Sequence, residues 1–175
     1  MPQSKYSEPK RIILIGPMGV GKTTIGRILA KQLDFDFIDT DQRLEKITGA
    51  SISWIFDIEG EAGFRRREQQ LIQELTGVTD AVIATGGGVI LLSENRFNLK
   101  SNSIVIYLKG EVETLYERTR LDNNRPLLET ANPRETIERI LSEREHLYVE
   151  TADFEIEIDG RSAEYIVTEI SGLLS

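Results

Sequence analysis

The sequence predicts one α/β domain in which helices cover a parallel sheet. Short β-branched apolar runs alternate with longer stretches of helical periodicity, which implies parallel strands joined by right-handed crossovers. The first run, Arg11-Ile-Ile-Leu-Ile15, is continuously apolar after its arginine and is ended by glycine, as in a strand buried on both faces. The length, 175 residues, suits a single domain that buries a core without disulfides or metal staples.

The elements follow in order. After the first strand, Ile25, Ile28, Leu29 and Leu33 form the stripe of a helix over 22–33. Phe35–Ile38 reads as a second strand. Residues 42–48 and 52–59 read as short helices punctuated by Gly49 and Gly60, and 62–76 as a longer helix with Phe64, Leu71, Ile72 and Leu75 on one face. Ala81–Thr85 is the third strand, stopped by Gly86-Gly87-Gly88. A polar connection rich in Asn and Ser leads to a fourth strand at Ile104–Leu108. A helix over 111–119 and a polar loop over 120–132 come next. Asn132-Pro133-Arg134-Glu135 supplies an N-cap, a proline at the first helical position and an acid at the third, opening a helix to about 151. Phe154–Ile158 is a fifth strand and 162–174 a closing helix. Residues 1–10 are read as a flexible N-terminal segment, and 11–175 as the domain.

Composition removes several chemistries. With no cysteine there is no disulfide framework, thiol nucleophile, Cys-ligated zinc or iron–sulfur cluster, and the single histidine, His146, cannot build a His-cluster metal site. His146 is read as a surface residue. A net charge of −8 argues against an undirected grip on nucleic acid or an acidic membrane. No apolar run approaches the ~20 residues that span a bilayer, and the polar first ten residues are too short for a signal peptide. A cytoplasmic monomer is the expectation.

Gly16-Pro-Met-Gly-Val-Gly21-Lys22-Thr23 matches G-x4-G-K-[ST], placed between the first strand and first helix. Gly16 and Gly21 let the backbone curl so that successive N–H groups face phosphate oxygens, and the helix adds its positive end. Lys22 would reach the outer phosphates and Thr23 would ligate Mg²⁺. Asp39-Thr40-Asp41 ends the second strand, beside that loop on the crevice edge of the sheet. In an extended segment, residues i and i+2 point the same way, so both carboxylates could serve one site, Asp39 near the metal and Asp41 on the attacking hydroxyl. Capping of the next helix is the alternative for either.

Arg65 and Glu68 stand three apart on one helix, where Glu68 could hold the guanidinium. A solvated face is the default for Arg65, Arg66 and Arg67 together. Arg144 falls within the stripe of Ile137, Ile140, Leu141 and Tyr148, so it needs an anionic partner, either a structural carboxylate or a ligand's. The glycine triplet suits close approach of a ligand to bare backbone, or merely a tight turn. Arg118, Arg120 and Arg125 flank Leu121-Asp-Asn-Asn124, which has the composition of a mobile loop able to close over triphosphate.

Together these residues resemble the shikimate kinase family. The features that carry the resemblance are the phosphate loop, Asp39 with Asp41, Gly60-Glu61-Ala-Gly-Phe64-Arg65-Arg-Arg-Glu68, Gly86-Gly87-Gly88, Arg125-Pro126-Leu127-Leu128, and Arg144 with Tyr148. It implies a three-layer P-loop kinase fold with a five-stranded parallel sheet in the order 2-3-1-4-5 and a lid over about 118–132. It implies transfer of the ATP γ-phosphate to the 3-hydroxyl of shikimate, in the aromatic amino acid pathway. It assigns nucleotide contact to Gly16, Met18, Gly19, Val20, Gly21, Lys22, Thr23, Thr24, Arg118, Arg125 and Arg161. It assigns shikimate to Asp41, Arg65, Glu68, Gly86, Gly87, Gly88 and Arg144, with a shikimate-binding region over about 41–68. Mg²⁺ falls to Thr23 and Asp39, and catalysis to Asp41, Lys22 and Arg125. Another small-molecule P-loop kinase, acting on gluconate or a nucleoside monophosphate, is the first alternative. A silent nucleotide-binding module is the second. A switch GTPase is disfavoured because no N-K-x-D motif occurs.

Overall fold

The computed structural model describes residues 11–122 and 125–175. The N-terminal segment 1–10 and the loop residues Asn123 and Asn124 lie outside the described residues. Five strands form one parallel sheet: β1 (Arg11–Ile15), β2 (Asp36–Asp39), β3 (Ala81–Ala84), β4 (Ser103–Lys109) and β5 (Phe154–Glu157). Their order is β2-β3-β1-β4-β5, as expected. Seven α-helices accompany them among the described residues: α1 (Lys22–Leu33), α2 (Thr40–Thr48), α3 (Ile52–Glu74), α4 (Ser93–Lys100), α5 (Val112–Thr119), α6 (Pro133–Thr151) and α7 (Ala163–Leu174). None of them is long and apolar enough to cross a membrane.

Period-2 alternation splits the core in two. Ile12, Leu14, Ile104, Ile106 and Leu108 face one side, where Ile25 and Leu29 of α1, Leu115 of α5 and Ile166 and Ile170 of α7 cover them. Ile13, Ile15, Ile83, Val105 and Tyr107 face the other, under Phe64, Leu71 and Ile72 of α3, Leu99 of α4 and Tyr148 of α6. This is the three-layer arrangement. At the strands' N-terminal end the buried Arg11 guanidinium donates to the Leu75 and Ser101 carbonyls, closing the edge opposite the site.

Two local expectations are corrected and one is borne out. The polar connection after β3 contains α4, whose buried side is little more than Leu99 and Asn95, too sparse to register as a stripe. Within α3 the backbone leaves the helical region at Gly60 (φ 70°, ψ 176°), so the break between two helices expected at this glycine is present as a sharp kink. Finally, α2 begins at Thr40, so Asp41 lies in a helical first turn and not in an extended segment.

Candidate active site

The C-terminal ends of β1, β2 and β3 converge on one crevice, as they do in open parallel sheets. After β1 the chain runs through Gly16, Gly19 and Gly21, all at positive φ (147°, 81° and 100°). Gly21 is the residue before α1 and makes no side-chain cap bond, so the first N–H groups of the helix stay free for an anion. Lys22 is buried, and its ammonium donates to the Gly16 carbonyl at 2.6 Å and the Pro17 carbonyl at 2.8 Å. Burial, reinforced by the charge of Arg125, brings its pKa down to about 7 against the pull of Asp41 and Asp39. The Val20 side chain is fully buried in the core, so only its backbone faces the loop.

Asp39 does two things at once. Oδ2 accepts from the Thr23 hydroxyl at 2.5 Å and Oδ1 caps α2 by accepting from the Gln42 N–H at 3.0 Å. The capping alternative and the site alternative therefore both hold for this residue. Asp41 is different: its Oδ1 is buried and has no hydrogen-bond partner among the described residues. Burial, followed by the charge of Asp39, raises its pKa, while Lys22, Arg125 and Arg65 oppose the shift. Two hard oxygen donors, Thr23 Oγ1 and Asp39, thus meet at the mouth of the phosphate loop. That set is too small for a protein-only metal cage but suits Mg²⁺, which keeps waters and phosphate oxygens alongside one or two protein ligands.

Beside the loop lies an acid–arginine recess. Arg65 Nη1 is 2.9 Å from Glu68 Oε1 and Nη2 is 3.2 Å from Glu61 Oε1. The Arg65 side chain is only 12% exposed and Glu68 0%, which removes Arg65 from the solvated face where its neighbours sit. Glu68 Oε2 is buried without a partner among the described residues, and burial lifts its pKa to about 7. Arg144 is buried too and joins the same wall from α6.

The glycine triplet is where these groups meet. A Cβ on Gly86 would lie 2.9 Å from Glu68 Oε2 and 3.0 Å from Asp41 Oδ1, so those two carboxylates flank it. A Cβ on Gly87 would lie 3.3 Å from the Met18 nitrogen and 3.7 Å from Arg144 Nη1, and one on Gly88 would collide with the Arg65 guanidinium.

Two adjoining cavities share Met18, Asp41, Gly86, Gly87 and Arg125. One holds the phosphate loop, with Gly19, Gly21, Lys22, Thr23, Thr24, Asp39 and Arg118 in its lining. The other holds Arg65, Glu68, Gly88 and Arg144 against an apolar wall of Ile52, Phe56, Phe64, Pro126 and Leu127. Arg118 reaches the Gly19 and Val20 carbonyls at 3.4 and 3.3 Å, and Arg125 pairs with Asp122 at 2.8 Å. Arg161 lines neither cavity. It pairs with Glu169 at 2.8 Å and lies over the Tyr165 ring.

Sequence reasoning did not place Ile52 and Phe56 at the site, although their i, i+4 spacing could have shown a shared helical face. Nor did it find Thr40, whose hydroxyl accepts from the Gly86 N–H at 3.2 Å.

A phosphate loop on a 2-3-1-4-5 sheet, opening directly into a recess of carboxylates and arginines, defines a P-loop kinase of small molecules. The shikimate kinase family model matches residues 18–174, and the chain belongs to that family. It is 49% identical over 168 residues to the shikimate kinase of Psychromonas ingrahamii, covering 96% of this chain and 98% of the relative. It is 50% identical, with 96% and 97% coverage, to that of Actinobacillus pleuropneumoniae serotype 5b. A solved shikimate kinase from Acinetobacter baumannii, in complex with shikimate, superposes with a TM-score of 0.93 at 45% identity, covering 97% of this chain and 94% of that one. A gluconokinase from Sinorhizobium meliloti, at 15% identity and a TM-score of 0.58, shares the fold alone.

Proposed function

We propose that the chain transfers the γ-phosphoryl group of ATP to the 3-hydroxyl of shikimate, giving shikimate 3-phosphate and ADP for aromatic amino acid synthesis. The observation that carries this reading is the triplet of bare glycines against which Asp41, Arg65 and Arg144 converge, one cavity away from the phosphate loop. A ring bearing hydroxyls and one carboxylate asks for a hydroxyl-binding acid and for planar cationic forks on the carboxylate. Family membership supports the same substrate.

In this reading Arg65 and Arg144 hold the acceptor carboxylate, and Glu68 keeps the Arg65 fork aimed by its 2.9 Å pair. Asp41, with its unpartnered oxygen, orients the attacking hydroxyl and accepts its proton. A bond forms from that hydroxyl oxygen to the γ-phosphorus as the bond to the bridging oxygen breaks, and ADP departs. The burial that raises the Asp41 pKa suits a group that must take up a proton. The phosphate-loop N–H groups and Lys22 bind the triphosphate, whose negative charge favours the lysine's charged form. Thr23 and Asp39 would hold Mg²⁺, which supplies charge neutralisation on the phosphates when bound. Arg125 lines both cavities and would neutralise charge between donor and acceptor, with 118–132 acting as a lid that excludes water. A monomer is proposed as the working unit.

The test is ADP release from MgATP with shikimate, and separately with gluconate or AMP. Release that depends on shikimate alone supports the reading. Release without any acceptor would make the chain a hydrolase, and MgATP binding without release would make it a silent module.

A further inference from the structure

The glycine triplet has no side chains of its own to hold it, and glycine carries the largest backbone entropy of any residue. Its polar groups must therefore be fixed from outside. The Gly86 N–H is held by Thr40, and the Gly86 and Gly88 carbonyls accept from Val89 and Leu91 N–H groups at 3.2 and 3.1 Å within the turn itself. The Gly87 carbonyl has no such local partner. It accepts from the Tyr148 hydroxyl at 2.5 Å, reached across 61 positions of sequence. The N–H groups of Gly87 and Gly88 engage no acceptor among the described residues, so they are the donors left to face a ligand.

Tyr148 is well built for that contact. It is 0% exposed and stacks on Tyr107, with ring centroids 4.8 Å apart and planes 21° apart, so its ring has little freedom. Burial pushes its pKa up to about 12 against the Arg144 guanidinium, which also contacts the hydroxyl, so Tyr148 remains a donor at every working pH. It stands one helical turn after Arg144 on α6, and the two side chains reach the same glycine.

We infer that Tyr148 is a positioning residue for acceptor binding: its hydroxyl pins the Gly87 carbonyl and holds the triplet at the spacing that Arg144 and Arg65 require. It touches no reacting atom. The inference rests on the acceptor assignment proposed above, and goes beyond it in naming what keeps the glycine backbone in place.

Tyr148→Phe keeps the ring and its stack and removes the hydroxyl, with both its donation to the Gly87 carbonyl and its contact with Arg144, so amide exchange is the readout that isolates the turn. The Gly87 carbonyl then loses its partner in a buried setting, and the acceptor KM should rise about tenfold. The KM for MgATP should rise by less than the acceptor KM, because Gly87 abuts the Met18 nitrogen of the phosphate loop but the loop keeps its own bonds. In the absence of acceptor, the Gly86, Val89 and Leu91 amides, which are hydrogen-bonded within the turn, should exchange with solvent about tenfold faster by NMR. Tyr107→Phe, which keeps the stack and removes a hydroxyl that does not reach the turn, should leave both readouts unchanged.

An unchanged acceptor KM with unchanged amide exchange overturns the inference. So does a variant in which every kinetic constant and the melting temperature worsen together, since that marks Tyr148 as packing alone. If the parent chain does not phosphorylate shikimate, the acceptor assignment fails, while the amide exchange still decides whether Tyr148 pins the turn.

Discussion

Gly88→Ala tests the site with the smallest possible change. Gly88 has φ −96° and ψ 8°, a conformation open to any L-residue, so the backbone itself is not strained by a methyl group. What the methyl meets is Arg65: it would lie 2.5 Å from both Cζ and Nη1, and closer still to Nη2. Ordinary non-bonded contact begins near 3.5 Å, so the guanidinium must withdraw by roughly 1 Å. Because this is the far end of a flexible side chain, the fold can yield at modest cost, about 1–2 kcal/mol. The acceptor is affected more. A displacement of about 1 Å in a clamping residue can cost on the order of 10²-fold in kcat/KM, and the retreating fork also loosens its 2.9 Å pair with Glu68. The assay is coupled ADP release, with shikimate varied at saturating MgATP and then MgATP varied at saturating shikimate, beside a thermal melt. The expected result is a fall of about 10²-fold in kcat/KM for shikimate, with the KM for MgATP within about twofold. A value for shikimate within threefold of the parent would refute the placing of Arg65 on the acceptor.

Asp41→Asn should lower kcat by about 10²-fold or more while calorimetric MgATP affinity is retained, and a loss under twofold would return Asp41 to a structural role. Arg144→Lys replaces a buried planar fork with a point charge and should raise the shikimate KM at least about tenfold, with a smaller effect on kcat; an unchanged KM would contradict a carboxylate contact. Burial holds the Glu68 carboxyl at about 7 against an ordinary 4.5, so the folded chain keeps a proton that the unfolded chain releases, and stability at this site falls as pH rises between those values. Glu68→Gln should remove that fall and gain roughly 2–3 kcal/mol on the parent between pH 4.5 and 8 in urea unfolding, whereas parallel profiles would count against it.

What could be read from the sequence is what repeats locally. The phosphate loop is eight contiguous residues with a fixed geometry, and Arg144 declared itself by standing within an apolar stripe. Arg65 could not be separated from Arg66 and Arg67 in this way. Its partner Glu68 is fully buried against Arg65 and the Gly86 backbone, a tertiary placement that helical spacing does not report. The aspartate pair was legible as chemistry and not as geometry: α2 starts two residues early because Asp39 caps it, so Asp41 enters the site from a helical turn. Helix α4 escaped because it buries Asn95, whose amide holds the Val89 carbonyl at 3.0 Å, where an apolar residue would have completed a stripe. Arg161, which the resemblance assigns to the nucleotide, pairs with Glu169 on the same C-terminal segment.

The glycine triplet shows why such long-range contacts decide function here. A run of three glycines is usually explained by one requirement, a tight turn or a close ligand. In this fold each glycine answers to a different neighbour: Gly86 to the Asp41 and Glu68 carboxylates, Gly87 to the phosphate loop and Arg144, and Gly88 to the Arg65 guanidinium. Those neighbours come from the segment after β1 and from helices α2, α3 and α6, which are far apart in sequence and share only this end of the sheet. A methyl at any of the three would meet a different part of the machinery, so the triplet is required residue by residue. The three alanine variants should accordingly fail in distinguishable ways, Gly86→Ala through both acids, Gly87→Ala through nucleotide and acceptor together, and Gly88→Ala through the acceptor alone.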